Sequence, residues 1–480
     1  MIDPKTFELN NLGEGSRLYF IGIGGISMSG LALLAAGYGF KVGGSDMHPS
    51  QRTADLERSG IKIFNAQIAE NIKEFRPDYI VKTAAILPHN PEVAQAMEEG
   101  IPIFDRAEFL GAITRSHKQV INISGTHGKT TTTSMVTMML LDSGMDPTVH
   151  IGAELDAIKS TVRLAQSKEL LVSEACEFNR SFLNFRSTTA AITNIDHDHL
   201  DCYPTIEDGI RVFADFMKNT DDNGYIVITG WDKNVRRSVE LAQKEFAEAG
   251  RNFPKLITCG KENDEGEFDF TARNIDFEGG YPGFEIVYKG QSLGSVKLRI
   301  PGSHNIDNSL IAAACAYLNG ASPEGIRTAL AEFGGADGRF TVKGQYRGCD
   351  VVVDYAHHPT AAKVTIDAAE HMTYPNIWVV FQPLTFDRVR QLFEEYVEAL
   401  LPCKKVLFSE IFSDREINMH DISSSDIADE INKRGGDAEF FADKSDLKNR
   451  LDELINPGDL ILILGPEDIR EMGDELTKGS

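Results

Sequence analysis

Cysteine is scarce in this chain: six residues among 480, at 176, 202, 259, 315, 349 and 403, with no Cys-x-x-Cys pair. That scatter argues against a disulfide framework or a thiolate zinc site and fits thiols kept reduced in a cytoplasm. Basic residues are short as well. Forty-eight Lys and Arg stand against 72 Asp and Glu, a formal net charge of −24. A general binder of nucleic acid or of anionic membranes needs a basic face, so both classes are disfavoured. Any anionic substrate must be met by local donors working against the overall field. Long apolar spans are missing too, with one near exception. Leu18–Phe40 carries no charge and has the length of a bilayer span. It is interrupted, however, by Gly22, Gly24, Gly25, Gly30, Gly37 and Gly39, and Met1–Arg17 ahead of it lacks the basic start of a signal peptide. Strand, glycine turn and helix is the better reading, and no membrane insertion is expected. Long-period repeats and low-complexity tracts are also lacking.

What is present centres on Ser124-Gly125-Thr126-His127-Gly128-Lys129-Thr130-Thr131-Thr132. An apolar run, Gln119–Ile123, precedes it as a strand, and Ser134–Leu141 follows as a helix. Strand, glycine turn, Lys-Thr and helix start make a polyphosphate cradle. Backbone N–H groups and the helix N-terminus face the anion, the lysine reaches the outer phosphates, and the hydroxyl ligates Mg²⁺. The strict form of this motif has glycine where Ile123 stands. At 480 residues the chain is too long for one core and suggests about three domains. The expected units are 1–118, 119–335 and 336–480.

The first unit alternates apolar strands with helices, the pattern of a parallel α/β sheet; strands are expected at Arg17–Ile23, Lys41–Gly44, Ile61–Phe64, Tyr79–Lys82 and Ile101–Phe104. Its Gly22-Ile23-Gly24-Gly25-Ile26-Ser27 resembles a dinucleotide fingerprint, with Asp46 placed where an acid would meet a ribose hydroxyl. By itself this turn could bind NAD, hold another nucleotide diphosphate or serve as packing. In the second unit, Ser173-Glu174-Ala175-Cys176-Glu177 and Asn194-Ile195-Asp196-His197-Asp198-His199 each follow an apolar strand. A carboxylate and an imidazole at strand ends could hold Mg²⁺ beside the phosphates; alternatively Asp198 and Asp201 cap a helix and His199 is a core histidine. Residues 232–300 read as a strand-rich insertion. The third unit is again α/β, with strands at Cys349–Asp354, Ile377–Phe381, Lys404–Ser409 and Leu460–Leu464. His357-His358-Pro359 sits just past the first of these, as a loop presenting imidazoles to a cleft, because a residue before proline avoids the helical region.

Together these residues resemble the Mur ligases, cytoplasmic ATP-dependent amide ligases of peptidoglycan synthesis, and among them the alanine-adding branch. The likeness spans almost the whole chain. It is carried by the run Phe20–Gly30, by Asp105-Arg106-Ala107-Glu108, Gly125–Thr132, Glu174, Thr193–Asp201 and His304-Asn305 with Asn308, and by Asp354–Thr360, Phe381-Gln382-Pro383 and Asp414-Arg415-Glu416. The resemblance implies three α/β domains: a Rossmann-like N-terminal domain for a UDP substrate, a central P-loop ATPase-like parallel sheet, and a Rossmann-like C-terminal domain receiving the amino acid. It implies ATP and two Mg²⁺ ions as cofactors, and UDP-N-acetylmuramate and L-alanine as substrates joined through an acyl phosphate. Under it Gly22, Gly24, Gly25, Ser27, Asp46 and Arg106 hold the UDP part. Gly125, Thr126, His127, Gly128, Lys129, Thr130 and Thr131 cradle the ATP phosphates, Asn305 and Asn308 meet adenine, and Arg339 and Asp354 contact phosphate and ribose. Thr130, Glu174 and His199 hold metal, and His357 and Arg388 face the acceptor.

The departures from the family's pattern fall in two pockets. The pattern has two arginines before a phenylalanine where this chain has Gly338-Arg339-Phe340, histidine where it has Leu384, and glutamate where it has Ala361. Gly465-Pro466-Glu467 replaces Gly-Ala-Gly, Thr83-Ala84-Ala85-Ile86 replaces Ser-Ser-Ala-Ile, and Ala66-Gln67 replaces Gly-His. Two other readings follow from these changes: a Mur ligase paralogue with another amino acid, peptide or UDP-sugar acid, or a non-catalytic sensor of UDP-sugar or ATP.

Overall fold

The structure, a computed structural model, describes residues 6–478 apart from 14, 84, 414, 415 and 417. The motif residues Ala84, Asp414 and Arg415 lie outside the described residues. Three sheets, of 5, 10 and 6 strands, organise the chain in sequence order.

The N-terminal sheet is parallel throughout, ordered Lys62–Phe64, Lys41–Ser45, Arg17–Ile21, Tyr79–Lys82, Ile103–Asp105. Strand order reverses at Arg17–Ile21, and the crevice at the carboxyl ends beside such a reversal is where open α/β sheets bind ligands. The Gly22–Gly25 turn lies there: Gly22 has φ +79°, and Gly25 is the N-cap of the helix Ile26–Gly37. The charge-free run is therefore strand, turn and helix, and among the described residues no helix is long and apolar enough to cross a membrane. Two further glycines of that helix serve packing. A Cβ at Gly30 would lie 2.7 Å from Val162, and one at Gly37 2.5 Å from Leu164. Only a helix bare at these points can lie flush on the edge of the central sheet.

The central sheet runs Gln291–Lys297, Gly283–Tyr288, Phe270–Asp276, Lys255–Lys261, Thr220–Thr229, Ser187–Ile192, Gln119–Ser124, Leu170–Glu174, Thr148–Leu155, Ser160–Arg163. From Phe270–Asp276 to Thr148–Leu155 all neighbours are parallel; antiparallel pairs close both ends. Residues 232–300 are thus no insertion. They start with the helix Lys233–Glu248, which buries Val235, Val239, Ala242 and Phe246 at helical spacing, and continue the same sheet. The phosphate-loop strand lies between the two strands that end in the acidic clusters, so one edge of the sheet presents all three loops together.

The C-terminal sheet is ordered Thr341–Tyr346, Cys349–Asp354, Leu460–Leu464, Ile377–Phe381, Val406–Ser409, Ala438–Phe441, parallel except at its first strand. All six cysteines are free thiols.

Among the described residues, the N-terminal core contains one buried acid. Glu92, with no exposed surface, accepts from Tyr19 Oη at 2.7 Å, Asn71 Nδ2 at 2.7 Å and Ser45 Oγ at 2.6 Å. Burial raises its pKa, with the three donors opposing. A carboxyl raised in the folded state stabilises at low pH and loses that contribution as pH climbs from about 4.5 through the folded value. Glu92→Gln is expected to abolish that decline, gaining on the wild type as pH rises. Glu92→Leu, which strands three donors, is expected to cost about 3 kcal/mol or more. Thermal unfolding of both variants between pH 5 and 8 checks this, and a flat difference would refute it.

Candidate active site

Three strand ends build the centre of the molecule. Gln119–Ser124 delivers the loop Gly125–Gly128, in which Gly125 has φ +133° and Gly128 φ +83°. These are left-handed or extended-positive conformations that glycine adopts at least cost. A Cβ on Gly125 would collide with Thr193, and one on Gly128 with Asn308. The helix Lys129–Asp142 starts immediately after, aiming its free N–H groups at the loop.

Lys129 Nζ donates to the carbonyls of Gly125 at 2.6 Å and Thr126 at 3.0 Å, and to Glu177 Oε1 at 3.0 Å. Glu177 is 3% exposed in its side chain. Burial works against the lysine's charge, but Glu177, with Cys176 and Glu174 behind it, holds its pKa above the usual range. Thr130 Oγ1 donates to Glu174 Oε2 at 2.9 Å, and the Gly152 N–H donates to the same oxygen at 2.9 Å.

His199, with φ +53°, places Nε2 3.6 Å from Glu177 Oε1 and leaves Nδ1 buried without a hydrogen-bond partner. Burial lowers its pKa despite Asp198 and Glu177 nearby. A neutral imidazole with an unused lone pair is what a cation requires. Thr130, Glu174 and His199 thus fit a hard divalent ion in donor type.

Glu177 was not assigned a site role by sequence reading, although it closes the cluster Ser173–Glu177. The signal was a second acid three residues past Glu174, the last residue of its strand.

Beyond the cradle, Asn305 and Asn308 lie on the helix His304–Leu318; Asn308 Nδ2 donates to Asn305 Oδ1 at 3.0 Å, and Thr132 Oγ1 donates to Asn308 Oδ1 at 3.3 Å. The C-terminal unit closes the other side. Asp354 Oδ2 accepts from the Phe340 N–H at 2.7 Å, and its pKa is raised by burial with Arg339 opposing. Arg339 lies 5.0 Å from the Tyr355 ring centroid. His358 caps the helix Pro359–Glu370, accepting from Thr360 N–H, and is pushed down to about 4 by burial, then by His127. His357 Nδ1 lies 2.8 Å from the Tyr355 carbonyl.

Two acids of the second cluster tie the units together. Asp196 Oδ2 accepts from Thr360 Oγ1 at 2.7 Å and lies 3.0 Å from His127 Nε2, which must carry the proton. Asp198 Oδ1 accepts from Arg388 Nη2 at 2.7 Å and Nε at 2.9 Å, with side chains only 9% and 5% exposed. Burial opposes the Asp198 charge, but Arg388 holds its carboxyl well below the usual range. Asp198 is therefore an inter-unit ion pair, not a helix cap. Arg388, which the resemblance aims at the acceptor, has this carboxylate as its partner.

One cleft of about 1830 Å³ is lined by residues of all three units, among them Arg106, Lys129, Glu174, His199, Asn305, Arg339, Asp354, His357 and Arg388. Of the proposed UDP set, Arg106 reaches it and donates to Ser27 Oγ at 3.0 Å, while Asp46 accepts from the Gly24 N–H at 2.8 Å and so braces the glycine turn.

Family models match in the same order: Mur ligase family, catalytic domain, over residues 17–118; Mur ligase middle domain over 123–316; and Mur ligase, glutamate ligase domain, over 338–466. A UDP-N-acetylmuramate–L-alanine ligase of Acetivibrio thermocellus is 39% identical over 479 residues, covering 100% of this chain and 97% of that protein. The chain belongs to the Mur ligase family. Among solved Mur ligase structures, the UDP-N-acetylmuramate–alanine ligase of Thermotoga maritima superposes with a TM-score of 0.77 at 26% identity, covering 96% of this chain and 98% of that one. A murein peptide ligase of Psychrobacter arcticus shares the fold, with a TM-score of 0.70 at 22% identity over 97% and 98% of the two chains.

The Asp198–Arg388 pair carries a direct expectation. Arg388→Met strands a buried carboxylate, which typically costs about 3–5 kcal/mol, and is expected to loosen the C-terminal unit, seen as faster limited proteolysis of the protein. Adding Asp198→Asn should recover part of the loss. No recovery would mean the pair does not couple the two units.

Proposed function

We propose that this Mur ligase joins L-alanine to UDP-N-acetylmuramate, spending ATP through an acyl phosphate. The observation that carries the reading is the convergence of Lys129, Thr130, Glu174 and His199 at one cradle. The full-length likeness to relatives named for that reaction selects the substrates.

The chemistry has two displacements. The muramate carboxylate attacks the γ-phosphorus of ATP, forming a C–O–P bond as the bond to the β-phosphate oxygen breaks and ADP leaves. The amine then attacks the acyl carbon, phosphate departs, and the amine's proton passes to solvent or to phosphate. The obstacle is bringing two anions together in a strongly acidic chain, and positioned donors are the means. Lys129 would neutralise β- and γ-oxygens that compete with Glu177 for its ammonium. The N–H groups from Gly128 to Thr131 would orient the chain of phosphates, while those of Thr126 and His127 donate to Asn194 and hold the loop of Gly125, Thr126 and His127 in shape. Thr130, Glu174 and His199 would hold Mg²⁺, with two ions in this reading, supplying charge neutralisation between phosphate and carboxylate. Asn305 and Asn308 would meet adenine, and Asp354 the ribose. Gly22, Gly24, Gly25, Ser27, Asp46 and Arg106 would seat the UDP part. His357 and the neighbourhood of Arg388 would face the amine. No side chain needs to act as a strong base.

The test is ADP release with Mg²⁺, ATP and UDP-N-acetylmuramate across a panel of amino acids. L-Alanine should give the highest kcat/KM. Turnover with another amine alone would move the acceptor, and no release with any amine would leave a nucleotide-binding protein without this activity.

Two variants refine the assignment. Lys129→Ala is expected to lower kcat by about 10³-fold or more with the UDP substrate still bound, because the two anion sites belong to different sheets. His199→Ala should raise the Mg²⁺ concentration needed for half-maximal rate by about tenfold. An unchanged metal titration would remove His199 from the ligand set.

A further inference from the structure

The helix Glu467–Thr477 brings Arg470 against Tyr355, a residue that lines the nucleotide cleft, as Glu467 at the start of the same helix also does. Its guanidinium lies 5.1 Å from the Tyr355 ring centroid, and that of Arg339 lies 5.0 Å from the same centroid. Gly338 makes this approach possible: with φ +69° and no side chain, it leaves the space that a Cβ would contest with Arg470 Nη1.

Two cations have thus been drawn to one ring, and their donors are poorly used. The Arg470 side chain is 13% exposed, its Nε is buried without an acceptor, and the nearest carboxylate oxygen, on Glu467, stands off at 4.0 Å. Arg339 Nη1 donates to the neighbouring Gly338 carbonyl at 3.0 Å, and among the described residues no carboxylate forms an ion pair with it. A cation–π contact contributes about 0.5–2 kcal/mol. A buried donor left unmade costs a comparable 1–3 kcal/mol, and the two like charges repel. The buried Asp354 carboxylate lies within electrostatic reach of both guanidiniums without a close ion pair to either, and the arrangement becomes favourable once a further anion accepts from both forks. Guanidinium forks match phosphate oxygens in pairs, and the same cleft contains the phosphate loop.

We infer that Arg470 is a second nucleotide-facing cation of the C-terminal unit, which binds the polyphosphate of a nucleoside triphosphate together with Arg339. The inference rests on the nucleotide reading of the cleft. It gives the C-terminal unit a reason to seat against the cradle: its two guanidiniums then meet charge that Lys129 does not neutralise.

Calorimetric titration of the full chain with the non-hydrolysable β,γ-imido analogue of ATP, and separately with AMP, tests it without turnover. Arg470→Met is expected to weaken triphosphate binding about tenfold, with AMP affinity within about twofold of wild type. Arg470→Lys, which keeps one charge and the packing stem, should lose about threefold. If the methionine variant does not fold, the lysine variant decides the matter. Unchanged triphosphate affinity in the folded variants, or an equal loss for AMP, overturns the inference while leaving the nucleotide reading intact. A wild-type protein that binds neither nucleotide overturns both.

Discussion

A buried ammonium held against a buried carboxylate is the contact around which the site is arranged. Lys129, which lines the cleft, and Glu177 meet at 2.9 Å with side chains 13% and 3% exposed. Such a pair is expensive to desolvate, and it persists because the glycine loop gives the ammonium two carbonyls as well. The consequence is a cation kept charged and fixed inside a chain of net charge −24. A polyphosphate arriving there meets a donor already desolvated and oriented, and it competes with one carboxylate instead of with water. Preorganisation of this kind is where electrostatic catalysis gets most of its strength.

Around that contact, the three sheets are joined by polar contacts that also border the cleft. Ser27 Oγ lies 3.1 Å from His150 Nε2, linking the N-terminal turn to the central sheet. Asp196 and Asp198 do the same toward the C-terminal unit through Thr360 and Arg388. Two non-glycine residues with left-handed backbones flank the second of these: His199 at φ +53° and Thr385 at φ +69°. Each such residue costs of order 1 kcal/mol or more, and Arg388 spans them, reaching Asp198 on one side and the Leu384 carbonyl at 3.0 Å on the other. The strain is thus held at the seam where an imidazole must be aimed, which ties the seating of the C-terminal unit to the geometry of a proposed metal ligand.

Much of this was legible in the sequence. Tyr79–Lys82, Cys349–Asp354, Ile377–Phe381 and Leu460–Leu464 stand where their apolar runs place them, because strands buried on both faces are continuous in hydrophobicity and bounded by turns. The half-exposed or short strands were harder. Ser160–Arg163 and Thr341–Tyr346 carry mixed residues at sheet edges, each paired only to its hairpin neighbour, so no burial on both sides gives them a continuous apolar run. The helix Lys233–Glu248 was missed because the turns after it dominated the reading of 232–300. In the site, residue types and strand ends pointed to Lys129, Thr130, Glu174 and His199. They could not say which acid would hold the lysine, which depends on how neighbouring loops of the central sheet fold together, or that Arg388 would spend its charge on Asp198, which depends on how separate units dock.

The altered motif positions show how far a pattern along the chain can part from a pattern in space. At 338 the family's arginine is replaced by glycine, yet a guanidinium occupies that region, contributed by residue 470 from a helix 132 positions later. Positive charge beside Tyr355 is therefore kept while its source along the chain changes. Leu384 and Ala361 are different in kind. Both line the cleft, and where the pattern has an imidazole and a carboxylate they present apolar side chains. A hydrophobic wall discriminates between amines by a methylene or two at about 1–3 kcal/mol, whereas lost polar partners forfeit rejection of much larger factors. The physical expectation is an enzyme whose phosphoryl chemistry is fully equipped and whose acceptor choice rests on shape more than on hydrogen bonds, with His357 and the backbone around Arg388 left to orient the amine.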